Sequence, residues 1–513
     1  DVMFCETFCA AIQGIDGCMI QVEADVSDGL PCFSMVGFLA SEVKEAKERV
    51  SIAIRNSGFR IPPKKITINL SPADFRKAGT GYDLAIAAAI LGALGYFPQE
   101  YLEGGMLLGE LSLDGTIQPI NGVLPMVYTA LEHGCNYCIV PADNIKEAQI
   151  VEGIRVVGVH LLSEVIDFLQ NAPDIHVDTE RVEFIGNLRE DLPDFRDICG
   201  QAAVKRAVEV AVAGRHNILM VGPPGSGKTM IARRIPGIMP PLSFEEQMEI
   251  SKIYSVSGLL DEKHPLVMER PFRSPHHTIP QTALVGGGRY PKPGECSLSS
   301  GGVLFLDELP EFQRQSVEVL RQPLEEGFVT ISRLEGSYRY PAKCQLVAAA
   351  NPCLCGFYPD RRKCNCTTAQ IRKYFGRISR PILDRIDICT ETVSLNYDEL
   401  ENRGEEESSA QIRERVMEAQ KIQIKRYEGE SFRYNGELTA QGVKRYCVLS
   451  ADAEAYLRGI FDQKSLTARG YHKILKVARS IADLDHSQEI KRHHLSEAVC
   501  YRSFPQDNTD VNV

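Results

Sequence analysis

Gly222-Pro223-Pro224-Gly225-Ser226-Gly227-Lys228-Thr229 follows the apolar run Ile218-Leu219-Met220-Val221 and precedes Met230-Ile231-Ala232-Arg233-Arg234. Strand, glycine loop and helix in that order are the setting in which G-x-x-x-x-G-K-[ST] acts as a phosphate-binding loop. Glycines let successive backbone N–H groups turn inward around a polyphosphate, and the helix N-terminus adds a favourable dipole. Lys228 then reaches the β- and γ-phosphates, and Thr229 offers a hydroxyl to Mg²⁺. The stretch predicts an α/β core that binds a nucleoside triphosphate.

Working outward, Gly302-Val303-Leu304-Phe305-Leu306-Asp307-Glu308 has the unbroken apolar character of a strand buried in a parallel sheet. It ends in two carboxylates, at the strand edge where open α/β sheets bind ligands. Asp307 suits Mg²⁺, and Glu308 suits orientation of an attacking water. A third apolar run, Gln345-Leu346-Val347-Ala348-Ala349-Ala350, ends in Asn351, whose amide can sense the γ-phosphate or that water. Together these residues predict hydrolysis as well as binding.

The chain has 513 residues, a length that predicts several domains, and a formal net charge of −11, which argues against a uniformly basic nucleic-acid binder. Charge reverses locally between Asp360 and Arg385. There Arg361, Arg362, Lys363, Arg372, Lys373, Arg377, Arg380 and Arg385 face only Asp360 and Asp384, the pattern of an anion contact or of a solvated face. The apolar stretches fall short of a membrane span and no secretory signal is visible, so a cytoplasmic chain without a membrane partner is expected. Most of the 16 cysteines are scattered singly, as in reduced proteins.

Composition shifts divide the chain into an α/β unit over 1–170, an acidic, proline-punctuated linker over 171–194, and a nucleotide core over 195–395. A mostly helical section follows over 396–505, with a tail over 506–513. In the first unit, residues 19–23 and 65–70 read as strands, and residues 41–57 and 84–94 as helices.

Loop, acidic pair and Asn on successive strands resemble the AAA+ ATPases. Arg270-Pro-Phe-Arg-Ser-Pro-His-His-Thr278, Ala283-Leu-Val-Gly-Gly-Gly-Arg-Tyr-Pro291 and Gly301-Gly-Val-Leu-Phe-Leu-Asp-Glu-Leu-Pro-Glu-Phe312 resemble the magnesium-chelatase-like YifB/ComM family more specifically. The likeness extends on both sides and covers nearly the whole chain, including Gly58-Phe59 through Asn69-Leu-Ser-Pro-Ala-Asp74 in front and Ala468-Arg-Gly-Tyr-His-Lys-Ile-Leu-Lys-Val-Ala-Arg-Ser-Ile-Ala-Asp-Leu484 at the back. It implies an AAA+ core with a C-terminal helical lid and an inactive N-terminal domain similar to the Lon protease catalytic domain. It also implies ATP and Mg²⁺ as cofactors, and a homo-oligomeric ring, a hexamer in this family. In such rings a neighbour's arginine reaches the γ-phosphate; by the match to Arg377-Ile-Ser-Arg-Pro-Ile-Leu-Asp-Arg-Ile-Asp387 that residue is Arg385. Arg380 stands where the family has glycine, and Arg469 matches the second-sensor position. The implied activity is branch migration or helicase action on DNA, single-stranded or branched, in natural transformation, alongside recombination proteins.

Cys353, Cys355, Cys364 and Cys366 form C-x-C…C-x-C within residues 353–366, interrupted by Gly356, Pro359 and Asp360. Four thiolates so spaced can surround a structural Zn²⁺, although the spacing is tighter than the usual C-x₂-C, and free thiols or disulfides are rival readings. A pinned loop bearing Arg361, Arg362 and Lys363 presents charge suited to a phosphate backbone.

Lon-like peptidases need a serine in a glycine loop and a lysine after a Pro-Ile-Gly-Gly-like turn. Here Ala78-Gly-Thr-Gly-Tyr-Asp83 puts Gly81 at the serine position, and Pro119-Ile-Asn-Gly-Val-Leu-Pro-Met126 puts Met126 at the lysine position. Thr80 is the neighbouring hydroxyl. An inactive scaffold is expected. Besides a DNA motor, a chelatase-type ATPase remodelling a protein partner remains open, and an ATP-dependent protease is disfavoured.

Overall fold

The computed structural model describes residues 3–171, 193–260, 263, 265–333, 336–394, 406–463 and 466–502. Of the expected linker over 171–194, residues 172–192 lie outside the described residues, as do 396–405 at the start of the expected helical section and the expected tail over 506–513.

The nucleotide core is a five-stranded, wholly parallel sheet. Its strands are β1 (Ile218–Val221), β2 (Phe272–Arg273), β3 (Val303–Leu306), β4 (Gln345–Ala350) and β5 (Ile388–Glu391), in spatial order β2-β3-β4-β1-β5. Every residue of β1, β3 and β4 is buried, which is why these strands read as unbroken apolar runs and not as alternations. Register sets the site: Val221 pairs with Ala350 on one side and Glu391 on the other. The phosphate loop therefore leaves the same edge of the sheet as Asn351 and Thr392. Between β3 and β4 the chain adds an antiparallel hairpin, Phe328–Arg333 with Gly336–Pro341.

A seven-stranded sheet forms the N-terminal unit, in the order Cys32–Val36, Lys65–Ser71, Asp16–Ser27, Met3–Gln13, Gly105–Leu107, Tyr137–Pro141, Arg155–Val159. Helix Asp83–Ala93 is buried at every position, and its alanines let it lie close against the Met3–Gln13 and Asp16–Ser27 strands. The single helix expected over 41–57 is two, Ser41–Lys44 and Ala46–Asn56, separated at Glu45.

This unit packs directly on the core through helix Phe244–Ser257. The Gly122 N–H donates to the Ser255 carbonyl at 3.1 Å, the Ser255 hydroxyl donates to buried Glu147 at 2.9 Å, and Met248 joins the N-terminal hydrophobic cluster.

The C-terminal helices Ser409–Arg426 and Ala468–Leu484 pack on helix Ala202–Gly214. A buried polar network fixes them there. His216 lies 2.7 Å from the Ser480 hydroxyl and 3.2 Å from Asp387, while Lys473 donates to the Ile386 carbonyl at 2.8 Å. Burial opposes the charge on Asp387. The hydrogen bond to His216 and the nearby Lys473 outweigh it and hold the carboxyl down to about 2.

Candidate nucleotide site

Thr392, just beyond β5, decides why the phosphate loop opens with glycine. A Cβ on Gly222 would lie 1.9 Å from the Thr392 hydroxyl oxygen, so only hydrogen fits. The same hydroxyl is 2.6 Å from the Ser226 hydroxyl, tying the middle of the loop to β5. Gly225 (φ 77°) and Gly227 (φ 86°) adopt left-handed conformations that free the backbone to wrap inward, and Gly227 caps helix Lys228–Ile238.

Lys228 donates to the carbonyls of Gly222 at 2.7 Å and Pro223 at 2.9 Å, and to the Asn351 side-chain oxygen at 3.3 Å. Burial lowers its pKa, while Asp307 and Glu308 act in the opposite sense. The Thr229 hydroxyl donates to Asp307 at 2.8 Å. A hydroxyl and a carboxylate so close can share one octahedral Mg²⁺, so the donor set fits that ion. Glu308 has φ 53°, a conformation that costs a non-glycine residue about 1 kcal/mol or more, and its carboxylate projects half-exposed beyond the sheet edge. Gly222 to Thr229, Asp307, Glu308 and Asn351 thus converge at one edge.

The two distal arginines do not join them. Arg385 precedes β5, and its carbonyl accepts from Asn217 at 2.9 Å, on the edge of the sheet opposite the phosphate loop. Its guanidinium donates to Glu325 and to the Pro381 carbonyl and is nearly buried. Arg469, at the start of helix Ala468–Leu484, is 3.3 Å from Asp384 and lies on that same opposite side. Arg380 is exposed nearby. The basic segment is also partly neutralised: Arg377 pairs with Glu311 at 2.8 Å and Arg362 with Asp360 at 3.2 Å.

One neighbour of the site was not anticipated from sequence. His277, after β2, sits 3.6 Å from the Glu308 carboxylate. The paired histidines of Ser274-Pro-His-His277 were its only signal.

The four cysteines converge. The Cys353 sulfur is 3.3 Å from that of Cys355 and 3.7 Å from that of Cys364, and all four lie within 4.8 Å of one another. The Phe357 backbone N–H, with the surrounding thiols, pulls Cys355 down to about 7. A second cluster, Asp485 with His493 and His494, does not suit a metal. The Lys491 N–H donates to His494 Nδ1 at 2.9 Å, so Nε2 of the neutral ring carries the proton toward Asp485.

In the N-terminal unit, Thr80 donates to Glu110, Met126 is buried in helix Val123–Glu132, and Lys77 donates to the Phe75 carbonyl at 3.2 Å. With the Thr80 hydroxyl held by the Glu110 carboxylate and Lys77 by a backbone carbonyl, no lysine is paired with a hydroxyl around Gly81 among the described residues. Nor is any helix among them long and apolar enough to cross a membrane.

Residues 194–400 match the family model for magnesium chelatase, subunit ChlI; residues 22–144 match subunit ChlI of Mg-chelatase, and 406–502 its C-terminal part. The chain is 39% identical over 500 residues, 96% of both proteins, to competence protein ComM of Haemophilus influenzae. It is 40% identical over 496 residues, again 96% of both, to an uncharacterised protein YifB of Escherichia coli. Over 135 residues, 26% of this chain and 24% of the other, it is 30% identical to Lon protease 2 of Bacillus subtilis. The chain belongs to the magnesium-chelatase-like YifB/ComM family of AAA+ proteins, with a Lon-like N-terminal region.

Proposed function

We propose that the protein is an ATP-hydrolysing ring motor that acts on DNA. The observation that carries the hydrolytic part is the convergence of Lys228, Thr229, Asp307, Glu308 and Asn351 at one sheet edge. Lys228 holds the β- and γ-phosphates of ATP, and the Thr229 hydroxyl and Asp307 carboxylate hold Mg²⁺, which neutralises charge on the phosphates. Glu308 accepts the proton of the attacking water, and Asn351 orients that water against the γ-phosphate.

Arg385 and Arg469 lie across the sheet from their own phosphate loop, which supports a site completed by a second copy. Arg385 exchanges Glu325 for a neighbour's phosphate oxygens, where a permanently charged, forked guanidinium suits the developing charge. A ring is the closed assembly in which every subunit both receives and supplies such a residue, and six copies are the expected number.

The load is proposed to be single-stranded or branched DNA, with branch migration or helicase activity during natural transformation and recombination. A relative's name as a competence protein supports this reading. So does the exposed tip Arg361, Arg362 and Lys363 on the cysteine loop. The test is ATP turnover with and without single-stranded and branched DNA, run beside strand displacement. Stimulation with displacement is expected. Neither, with intact basal turnover, would shift the load to a protein partner of the chelatase type.

A further inference from the structure

Cys353 begins two residues after Asn351, whose side chain meets Lys228. Together with Cys364 it is buried in one apolar cluster with Val221, Leu306 and Ala350, the last residues of β1, β3 and β4. From there the loop passes against the phosphate loop. Gly356 is left-handed (φ 86°), and a Cβ on it would lie 2.6 Å from Pro224 Cδ and 2.8 Å from Cγ. Non-bonded carbons separate at about 3.5 Å or more, so the Gly356 backbone and the Pro224 ring touch with no space for a methyl group.

Tyr358 and Cys366 pack against the same cluster, and Arg361 donates to the Cys366 carbonyl at 2.8 Å. The loop's backbone bonds are short-range turns: the Gly356 N–H to the Cys353 carbonyl at 3.0 Å, Asp360 to Phe357 at 2.9 Å, and Cys364 to Asp360 at 2.8 Å. Thiols are weak donors and acceptors, so four gathered sulfurs stabilise such a loop only slightly by themselves. Around Zn²⁺, with Zn–S bonds of about 2.3 Å, tetrahedral sulfurs stand about 3.8 Å apart. The observed 3.3 and 3.7 Å separations fit that frame with small shifts.

We propose that Cys353, Cys355, Cys364 and Cys366 bind one Zn²⁺ and that the metal-held loop braces Pro224, making nucleotide affinity depend on the metal. The inference rests on reading Gly222 to Thr229 as the ATP site. Pro224 sets the direction of the backbone that follows it, and hence of the N–H groups that wrap the phosphates. Holding that direction in advance removes an ordering cost from nucleotide binding. The metal and the nucleotide are then linked, and each strengthens the other.

The experiment uses the full chain, zinc counted by elemental analysis and a fluorescent ATP analogue with Mg²⁺ as the binding probe. One zinc per chain is expected. A zinc-selective chelator that spares Mg²⁺ is expected to weaken nucleotide binding about fivefold or more, and added Zn²⁺ to restore it. Gly356→Ala keeps all four thiols but crowds Pro224. It is expected to retain one zinc per chain and to bind nucleotide more weakly while fully loaded, a readout that needs no metal removal. Absence of zinc, or unchanged affinity in both the chelated native chain and zinc-loaded Gly356→Ala, would overturn the inference. Failure of the zinc-loaded native chain to bind nucleotide at all would instead overturn the ATP-site reading on which it rests.

Discussion

Two glycine loops in this molecule each feed a helix at a sheet, yet they are built for different ends. The loop before helix Lys228–Ile238 sets Lys228 beside Asn351 and Thr229 beside Asp307, with a half-exposed Glu308 at its mouth. The loop before helix Asp83–Ala93 has its polar groups satisfied inside its own domain. Thr80 is bound to Glu110, Asp83 is clasped by Arg49 at 2.8 and 3.0 Å, and Gly81 lies under Ile120. Loop shape is therefore no guide to chemistry. Reactivity needs a polar group left facing the place where substrate will sit, and at the mouth of the first loop half-exposed Glu308 is such a group.

The sharpest way to break this contrast is to remove groups of the first site one at a time. Arg385→Ala should lower ATP turnover about 1,000-fold while nucleotide still binds, measured by phosphate release beside binding of a fluorescent analogue. Undiminished turnover would mean that no neighbour completes the site through this residue. Glu308→Gln should lower turnover about 100-fold or more with affinity within about twofold, and retained turnover would remove its assignment as base.

Acid tests the lid rather than the site. Asp387 is held from its ordinary 3.8 down to about 2. The folded state therefore binds fewer protons there than the unfolded one. Its stabilising contribution, about 2 kcal/mol, is complete above pH 4 and disappears as pH falls through 2. Denaturant titrations should show native protein more stable than Asp387→Asn at pH 6, with the gap narrowing below pH 4. A gap that does not change with pH would contradict the assignment.

The smallest expected effect concerns the second loop. Thr80→Ala should leave ATP turnover unchanged and alter stability by about 1 kcal/mol, and neither form should cleave an unfolded protein substrate. Cleavage that depends on Thr80 would collapse the contrast.

The site of the core was legible in sequence because its parts are local. Each apolar strand is followed directly by its own signal, the glycine loop after Val221, the acidic pair after Leu306 and Asn351 after Ala350, and buried parallel strands carry no alternation to confuse them. What sequence withheld is nonlocal. Thr392 closing on Gly222, Gly356 touching Pro224 and His277 facing Glu308 each join segments far apart along the chain. The strand Met3–Gln13 was equally hard to see, because its inner half is buried on consecutive residues and breaks the period of two. The distal arginines were placed by motif alone. Geometry adds that they lie across the sheet from their own loop, beside Asp384 and Glu325.

The most direct test of a site shared between copies is to mix Arg385→Ala with Glu308→Gln and measure ATP turnover. Each variant alone is nearly inactive. In a mixed ring, some interfaces join an intact Glu308 to an intact Arg385, and the account predicts that turnover reappears on mixing. If the mixture stays as inactive as its components while the variants are shown to co-assemble, the site is not completed by a neighbour and the account is wrong.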